Sequence, residues 1–177
     1  GLYGLDLAKR EREASRQVVG VEGEEDVMAW HLAGVPTAVA TCGTAFGDIF
    51  REIKPMIALQ IALRERGLPT YICSNTNDLA VRHIRRHFPF FRGFDGAVLS
   101  YEHGAMKPAP TIYAAVEALT GRRGAELFFL DDRPENVDAG RARGWQAVLH
   151  VSPAHSIAAV RAAGLLDDAA AEGLARS

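Results

Sequence analysis

Short apolar runs alternate along the chain with longer stretches in which apolar residues recur at helical spacing. Each run is five or six residues long and is bounded by polar or turn-forming residues. Runs of this kind are typical of strands that are covered on both faces of a sheet. The pattern predicts strands over residues 17–22, 37–41, 70–74, 96–100, 127–131 and 146–150.

The stretches between these runs predict helices. Pro55 stands near the start of one stretch and Gly67 at its end, the positions that proline and glycine favour around a helix. Helices are predicted over residues 24–33, 54–66, 78–87, 110–119, 134–143 and 154–163. The repeated strand–helix–strand order predicts an α/β fold: a Rossmann-like, doubly wound, mostly parallel sheet of five to six strands flanked by helices, in a single domain over residues 1–177.

Composition narrows the classes of partner. The chain has 177 residues, of which 48% are apolar and 24% charged, and its net charge is −2. This balance gives no bulk attraction to nucleic acid or to an anionic membrane, so neither is an expected partner. No apolar run approaches the ~20 residues that cross a bilayer. Cys42 and Cys73 stand at the ends of apolar runs and are expected to be buried thiols of a cytoplasmic protein.

Ligands of parallel sheets bind at the carboxyl ends of the strands, so the residues there are the candidates for chemistry. The strand over residues 70–74 runs into Ser74 and Asn75, and Asp78 stands early in the next helix. A hydroxyl, an amide and the N–H groups of a helix start suit a phosphoryl group. The same residues are common in a turn that caps a helix, and this stretch alone favours the turn.

Two later strands also end in charged residues. Lys107 stands at the mouth of the helix over residues 110–119, where it suits an anionic ligand, although most lysines are solvated surface groups. Asp131 and Asp132 follow four apolar residues. Paired carboxylates at a strand end suit a divalent cation, whereas the dipole of a helix start also favours acidic residues.

Taken in order, the three strand ends resemble one family. The stretches "ICSNTN", "SYEHGAMKPAPTIY" and "FFLDDRPENVDAGRARGWQAVLH" closely resemble motifs two, three and four of the haloacid dehalogenase-like (HAD) hydrolases. The resemblance covers residues 50–166, about two-thirds of the chain. Most members of that family are magnesium-dependent phosphatases, so the resemblance implies a phosphorylated small molecule as a partner and Mg²⁺ as a vestigial cofactor.

The resemblance also implies roles for the polar residues. Ser74 would bond the phosphoryl oxygens, with Asn75 beside it. Lys107 would bind the phosphoryl group and act in catalysis by steadying its charge and the nucleophile. Asp132 would help to hold Mg²⁺, with Asp131 as a neighbouring metal-site residue.

The first motif of that family is missing. It is an apolar strand that ends in Asp-x-Asp, whose first aspartate attacks phosphorus. No such strand precedes Ser74 in this sequence. Residues 1–48 instead resemble the Toprim segment of a bacterial DnaG-type primase, most strongly in "DVMAWHLAGVPTAVATCGTAFGD". Glu22 stands where that family has a catalytic glutamate, while the Asp-x-Asp strand that binds metal in Toprim enzymes is absent, so primase activity is not expected.

The two resemblances meet near residues 48–51 and indicate a chimera. A HAD-like fragment without its first strand has a gap in the sheet between the strands over residues 70–74 and 127–131. Both parents are parallel α/β folds, so a strand of the Toprim-like piece can fill that gap.

Two strands compete for the gap. Residues 17–22 would bring Glu22 to the place of the missing nucleophile, where it would act as a catalytic and metal-binding carboxylate of imperfect geometry. Residues 37–41 would bring Thr41 and Cys42 there, without a carboxylate. The sequence leaves both open.

The favoured hypothesis is an engineered or recombined chimeric α/β fold with little or no natural catalysis. The alternatives are a weak Mg²⁺-dependent phosphatase or phosphate-binding protein of HAD type, and a natural binding or regulatory protein. An exposed sheet edge beside the gap would favour self-association, so a homodimer is an expected assembly.

Overall fold

The computed structural model describes residues 52–176. Strands and helices alternate through this range, as the apolar pattern predicts. The strands are β1 (Tyr71–Ser74), β2 (Gly96–Leu99), β3 (Phe128–Asp131) and β4 (Gln146–Leu149). The helices are α1 (Lys54–Glu65), α2 (Asp78–His87), α3 (Ser100–His103), α4 (Pro110–Thr120), α5 (Pro134–Ala142), α6 (Pro153–Ala162) and α7 (Asp168–Arg176), with 3₁₀ turns at Pro89–Gly93 and Gly124–Glu126.

The strands form two parallel pairs. β1 pairs with β2 in a register that runs from Tyr71 opposite Gly96 to Ser74 opposite Leu99. β3 pairs with β4 in the same sense. The prediction of one sheet of five to six strands is therefore wrong for the described residues, which hold four strands in two two-stranded sheets. Residues of β1 and β3 line a common cleft. The two predicted strands over residues 17–22 and 37–41 lie outside the described residues.

Local sequence signals explain where the helices begin and end. Asn77 caps α2, and its side-chain oxygen accepts a hydrogen bond from the Ala80 N–H. Ser152 caps α6 in the same way. Gly67, just after α1, has a φ of 77°, a left-handed conformation that glycine adopts without strain.

Helices cover both faces of the strands. On one face, the buried side chains of α4 and α5 pack against Cys73, Val98, Phe129 and Ala147, which come from all four strands. Tyr113 joins Phe129 and Trp145 in an aromatic cluster on this face. The apolar side chains of the first core are Cys73, Val98, Ile112, Tyr113, Val116, Phe129, Val137, Trp145 and Ala147.

On the other face, α1, α6 and α7 form a second core. Phe128 and Leu130 pack against it, and they alternate along β3 with Phe129, which faces the first core. The buried side chains of the second core are Met56, Leu59, Ile157, Val160, Leu166 and Ala171. Because both faces of β3 are covered by helices, its side chains are apolar on both sides, which explains the continuous apolar run over residues 127–131.

Two helices are absent from the sequence-based prediction. They are the short helix α3 and helix α7, which buries Ala171. None of the helices in residues 52–176 has the length and apolarity that a bilayer crossing requires.

Candidate functional site

Lys107 lies at the centre of the candidate site, and Asn75 holds its backbone. The Asn75 side chain donates from Nδ2 to the Lys107 carbonyl at 2.9 Å and accepts at Oδ1 from the Lys107 N–H at 2.7 Å. These two bonds join the loop after β1 to the segment before α4. Both polar atoms of the Asn75 side chain are therefore engaged with Lys107.

The Lys107 side chain points between the two strand pairs. Its Nζ donates to the Cys73 carbonyl on β1 and to Asp131 Oδ2 on β3, each at 2.6 Å. The side chains of Lys107 and Asp131 are 1% and 0% exposed, so the ion pair is fully buried. The ammonium has three N–H donors, and these bonds use two of them. Lys107 thus connects the carboxyl ends of β1 and β3.

Asp131 has hydrogen-bond partners at both carboxylate oxygens. Oδ2 accepts from Lys107, and Oδ1 accepts from Asn136 Nδ2 at 2.8 Å and from the Arg133 N–H at 3.0 Å. Asn136 is itself held by Tyr113, whose hydroxyl donates to the Asn136 carbonyl at 2.8 Å. Burial, followed by the charge of Asp131, raises the pKa of the Tyr113 hydroxyl, so this phenol keeps its proton and its donor role.

Asp132 lies next to this network but differs from Asp131. Its Oδ1 is buried and has no hydrogen-bond partner in the described part of the chain. Burial, with the neighbouring charge of Asp131 as the second cause, raises the pKa of Asp132 to about 7. An orphaned carboxylate oxygen at a strand end is the kind of donor that a hard cation takes.

The loop after β1 provides hydroxyl and amide groups beside Lys107. Ser74 is buried at the end of β1. The Thr76 N–H donates to Ser100 Oγ, which in turn donates to the Thr76 carbonyl, both at 2.8 Å. Thr76 Oγ1 is buried, and no partner for it lies within residues 52–176. This loop leads directly into α2, whose first N–H groups favour an anion.

The structure brings most of the predicted site residues together. Ser74, Asn75, Lys107, Asp131 and Asp132 all lie at the carboxyl ends of β1 and β3 or on the segment between them. Glu22 lies outside the described residues. The predicted catalytic, phosphate-binding and metal-binding roles of these residues stay predictions.

Sequence reasoning missed Thr76 and Ser100. The signal for Ser100 was weak, because a serine after an apolar strand is common in a turn. Thr76 lies in the quoted "ICSNTN" stretch, two residues beyond Ser74, where the backbone turns toward α2. The expectation that Cys73 is a buried thiol is confirmed, and burial raises its pKa.

The residues present offer a cation few ligands. Within residues 52–176, no three His, Cys, Asp or Glu side chains come together as a metal cluster. Both oxygens of Asp131 have protein partners, so Asp132 is the carboxylate with an oxygen to offer. Mg²⁺ commonly binds through one or two carboxylates, with water and substrate phosphate as further ligands. Asp132 fits such a site, in which the phosphoryl group itself supplies ligands.

Comparison with known proteins gives two relationships. A family model described as haloacid dehalogenase-like hydrolase matches residues 6–144. A segment of 47 residues is 68% identical to a DNA primase of Mycolicibacterium smegmatis, and it makes up 27% of this chain. The chain spans only 7% of the length of that primase. Both resemblances expected from the sequence are therefore confirmed.

Solved structures agree on the fold. A HAD family enzyme from Bacteroides thetaiotaomicron is 29% identical with a TM-score of 0.52, over 59% of this chain and 55% of that one. An uncharacterized protein from Corynebacterium glutamicum has a TM-score of 0.54 at 22% identity, over 65% of this chain and 85% of its own. The second likeness concerns the fold alone. The described residues therefore form a HAD-like α/β fold.

Proposed function

We propose, from the premise that the chain belongs to the haloacid dehalogenase-like hydrolase family, that it is an engineered or recombined α/β protein that binds a phosphoryl anion with Mg²⁺ and hydrolyses it little or not at all. One observation carries the proposal. The buried pair of Lys107 and Asp131 is followed in the chain by Asp132, whose buried Oδ1 has no hydrogen-bond partner among residues 52–176.

Lys107 supplies the positive charge for the anion. The two protein bonds of its ammonium leave one N–H donor for a phosphoryl oxygen. Ser74 and the N–H groups at the start of α2 add neutral donors on the same side. Asn75 contributes by positioning, because its amide fixes the Lys107 backbone.

Asp132 supplies the carboxylate for the cation. A bound Mg²⁺ neutralises phosphoryl charge, which is the contribution of the metal to this chemistry. Asp131 acts behind this site, because it compensates Lys107 within the protein and is kept in place by Asn136 and Arg133. Occupation of the site by a cation would also favour the charged form of Asp132.

The expected lack of turnover follows from the missing nucleophile. In-line attack on phosphorus needs a nucleophile held close to the reacting atom, and misplacement costs orders of magnitude in rate. No Asp-x-Asp occurs in the printed sequence. Glu22 and Glu24 have the same i, i+2 spacing as the two aspartates of that motif. The alternative function, a weak Mg²⁺-dependent phosphatase, depends on these two carboxylates.

Binding and hydrolysis should be measured separately. Calorimetric titration with inorganic phosphate, with and without Mg²⁺, should show binding that Mg²⁺ strengthens and that Asp132→Asn weakens at least about tenfold. Asp138→Asn is the matched control, because Asp138 is exposed on α5 and lies outside the site. Equal binding by all three proteins would contradict the proposal.

Hydrolysis of an aryl phosphate tests the alternative. The proposal expects a rate near that of buffer for the unchanged chain, for Asp132→Asn and for Glu22→Gln. A clear Mg²⁺-dependent rate that falls in both variants would instead establish the weak phosphatase. A measurable rate that neither substitution changes would indicate a contaminating enzyme and would exclude the weak phosphatase.

A further inference from the structure

Ser100 is a buried side chain to which the proposed function assigns no role. It is 4% exposed and begins α3, directly after β2. A serine at such a place commonly caps its own helix. No side-chain hydrogen bond caps the start of α3, and the Ser100 hydroxyl bonds the loop after β1 instead. The hydroxyl therefore connects the ends of two strands.

This contact engages both backbone groups of Thr76. The Ser100 hydroxyl accepts from the Thr76 N–H and donates to the Thr76 carbonyl, each at 2.8 Å. A hydroxyl has one proton to donate, so the bond to the carbonyl uses it. Thr76 is 7% exposed, and within residues 52–176 its own hydroxyl has no hydrogen-bond partner. In this part of the chain, Ser100 thus provides the side-chain hydrogen bonds that hold Thr76.

The strand register brings the two residues together. In the parallel pair of β1 and β2, Ser74 lies opposite Leu99, the residue before Ser100. Both segments leave the sheet directly after this point, β1 toward α2 and β2 toward α3. The Ser100 bonds continue the connection between the two segments and satisfy backbone groups that would otherwise be buried without partners. They fix the loop after β1 relative to β2.

The loop after β1 is therefore held from two sides. The Asn75 side chain bonds the N–H and the carbonyl of Lys107. Ser100 bonds the N–H and the carbonyl of the next residue, Thr76. Because Asn75 and Thr76 are adjacent in the chain, a displacement of Thr76 also moves Asn75 and, through it, Lys107. Ser74 immediately precedes Asn75 and shares the same loop.

We propose that Ser100 is a positioning residue for phosphoryl binding, which fixes this loop so that Ser74 and Lys107 direct their donors to one anion. The inference rests on the proposed function and adds a residue outside the set of anion donors. Ser100 acts through Thr76, because its hydroxyl is already engaged with the Thr76 backbone. Around metal sites, the loss of such supporting partners lowers affinity or activity by about 10–100-fold.

Calorimetric titration with inorganic phosphate in the presence of Mg²⁺ tests this role. Ser100→Ala removes both bonds to Thr76 and should weaken phosphate binding at least about tenfold. Ser100→Thr keeps the hydroxyl and should restore most of the affinity. Ser156→Ala is the matched control, because Ser156 is also buried and its hydroxyl is bonded to His150 beside the other strand pair. This control should bind phosphate as the unchanged chain does.

Exchange of the Thr76 amide tests the contact without a ligand. In buffer free of phosphate and metal, Ser100→Ala should speed this exchange at least about tenfold more than that of the Gln146 amide. The Gln146 amide bonds the Leu127 carbonyl at 2.9 Å in the other strand pair, so it reports on the stability of the fold away from the loop. A general loss of stability would speed both amides alike. Ser156→Ala should not favour the Thr76 amide.

The outcomes separate this inference from the proposed function. If the unchanged chain binds phosphate and Ser100→Ala binds it equally well, the inference fails and the proposed function stands. An unresponsive Thr76 amide, an equal loss of affinity in Ser156→Ala, or no recovery in Ser100→Thr would each refute the inference as well. Absence of phosphate binding by the unchanged chain would refute both. If Ser100→Ala does not fold, Ser100→Cys replaces it with the same expected direction, because a thiol is a weak donor.

Discussion

Lys107 and Asp131 form a buried ion pair in which Nζ lies 2.6 Å from Oδ2 and neither side chain is more than 1% exposed. Each charge depends on the other, because an isolated charge in such a place loses the solvation that water would provide. The pair also joins β3 to the carbonyl of Cys73 on β1. One side chain therefore links the two strand pairs at the candidate site.

Removal of the Lys107 charge should destabilise the fold strongly. Lys107→Met leaves Asp131 buried without its counter-charge, which costs about 3–5 kcal/mol of unfolding free energy. Lys54→Met is the control, because Lys54 is exposed and its loss should change stability by no more than about 0.5 kcal/mol. Urea denaturation measures both. Equal effects of the two substitutions would contradict the buried-pair account.

The same pair predicts strong coupling between its members. Asp131→Asn removes the carboxylate charge, so the double variant Lys107→Met/Asp131→Asn should be less destabilised than the two single losses added together. The expected coupling is about 0.5–3 kcal/mol. Additive losses in the same urea series would mean that the two side chains act independently.

Asn75 should matter for stability through Lys107. Asn75→Ala removes two hydrogen bonds to the Lys107 backbone, so a loss of about 2 kcal/mol is expected. Asn75→Asp keeps an acceptor for the Lys107 N–H but sets a second acceptor oxygen against the Lys107 carbonyl, so it should not recover the stability that Asn75→Ala loses. Thermal and urea unfolding compare the three proteins. An aspartate variant as stable as the unchanged chain would contradict the two-bond arrangement.

These contacts mark the limit of what the sequence predicts. The bounds of α2 follow from the sequence, because Asn77 is a strong helix cap and the apolar spacing of the next ten residues is helical. The gathering of Ser74, Lys107 and Asp131 also follows, because parallel strands end at one edge of a sheet.

The different contacts and charges of the individual site residues do not follow from the sequence. Asn75 and Lys107 are 32 residues apart, and no periodic pattern reports a contact across a sheet. Asp131 and Asp132 are the same residue type at neighbouring positions. In the structure the charge of Asp131 is compensated by Lys107, whereas the pKa of Asp132 is raised. The separation into two strand pairs was also missed, because apolar runs predict strands but not which of them are neighbours.

Asp132 should make stability depend on pH. Its folded pKa of about 7 lies above the ordinary value of 3.8, so the folded state holds this proton more tightly than the unfolded state. The contribution of Asp132 is fully present below about pH 4 and is lost as the pH rises through 7. Asparagine does not titrate, so Asp132→Asn does not lose stability in this way as the pH rises. The melting temperature of Asp132→Asn minus that of the unchanged chain should therefore be larger at pH 8 than at pH 4.5.

The exposed carboxylate of Asp138 provides the comparison for this experiment. Asp138→Asn should track the unchanged chain at every pH in metal-free buffer. A difference between Asp132→Asn and the unchanged chain that stays constant from pH 4.5 to pH 8 would mean that Asp132 titrates normally.

Gly140 should reject even a methyl group. A Cβ at this position would lie 3.2 Å from the Cβ of Ala147 and 3.3 Å from Cδ1 of Phe129, and the first of these atoms is fixed to the backbone of β4. Alanine favours a helix by about 1 kcal/mol over glycine, but overpacking costs about 1–3 kcal/mol. Gly140→Ala is therefore expected to destabilise the fold. Gly173→Ala on α7, where a Cβ meets nothing within 4 Å, should instead stabilise it by up to about 1 kcal/mol. Urea denaturation of the two variants should move in opposite directions, and a stabilised Gly140→Ala would show that α5 can move away from β4.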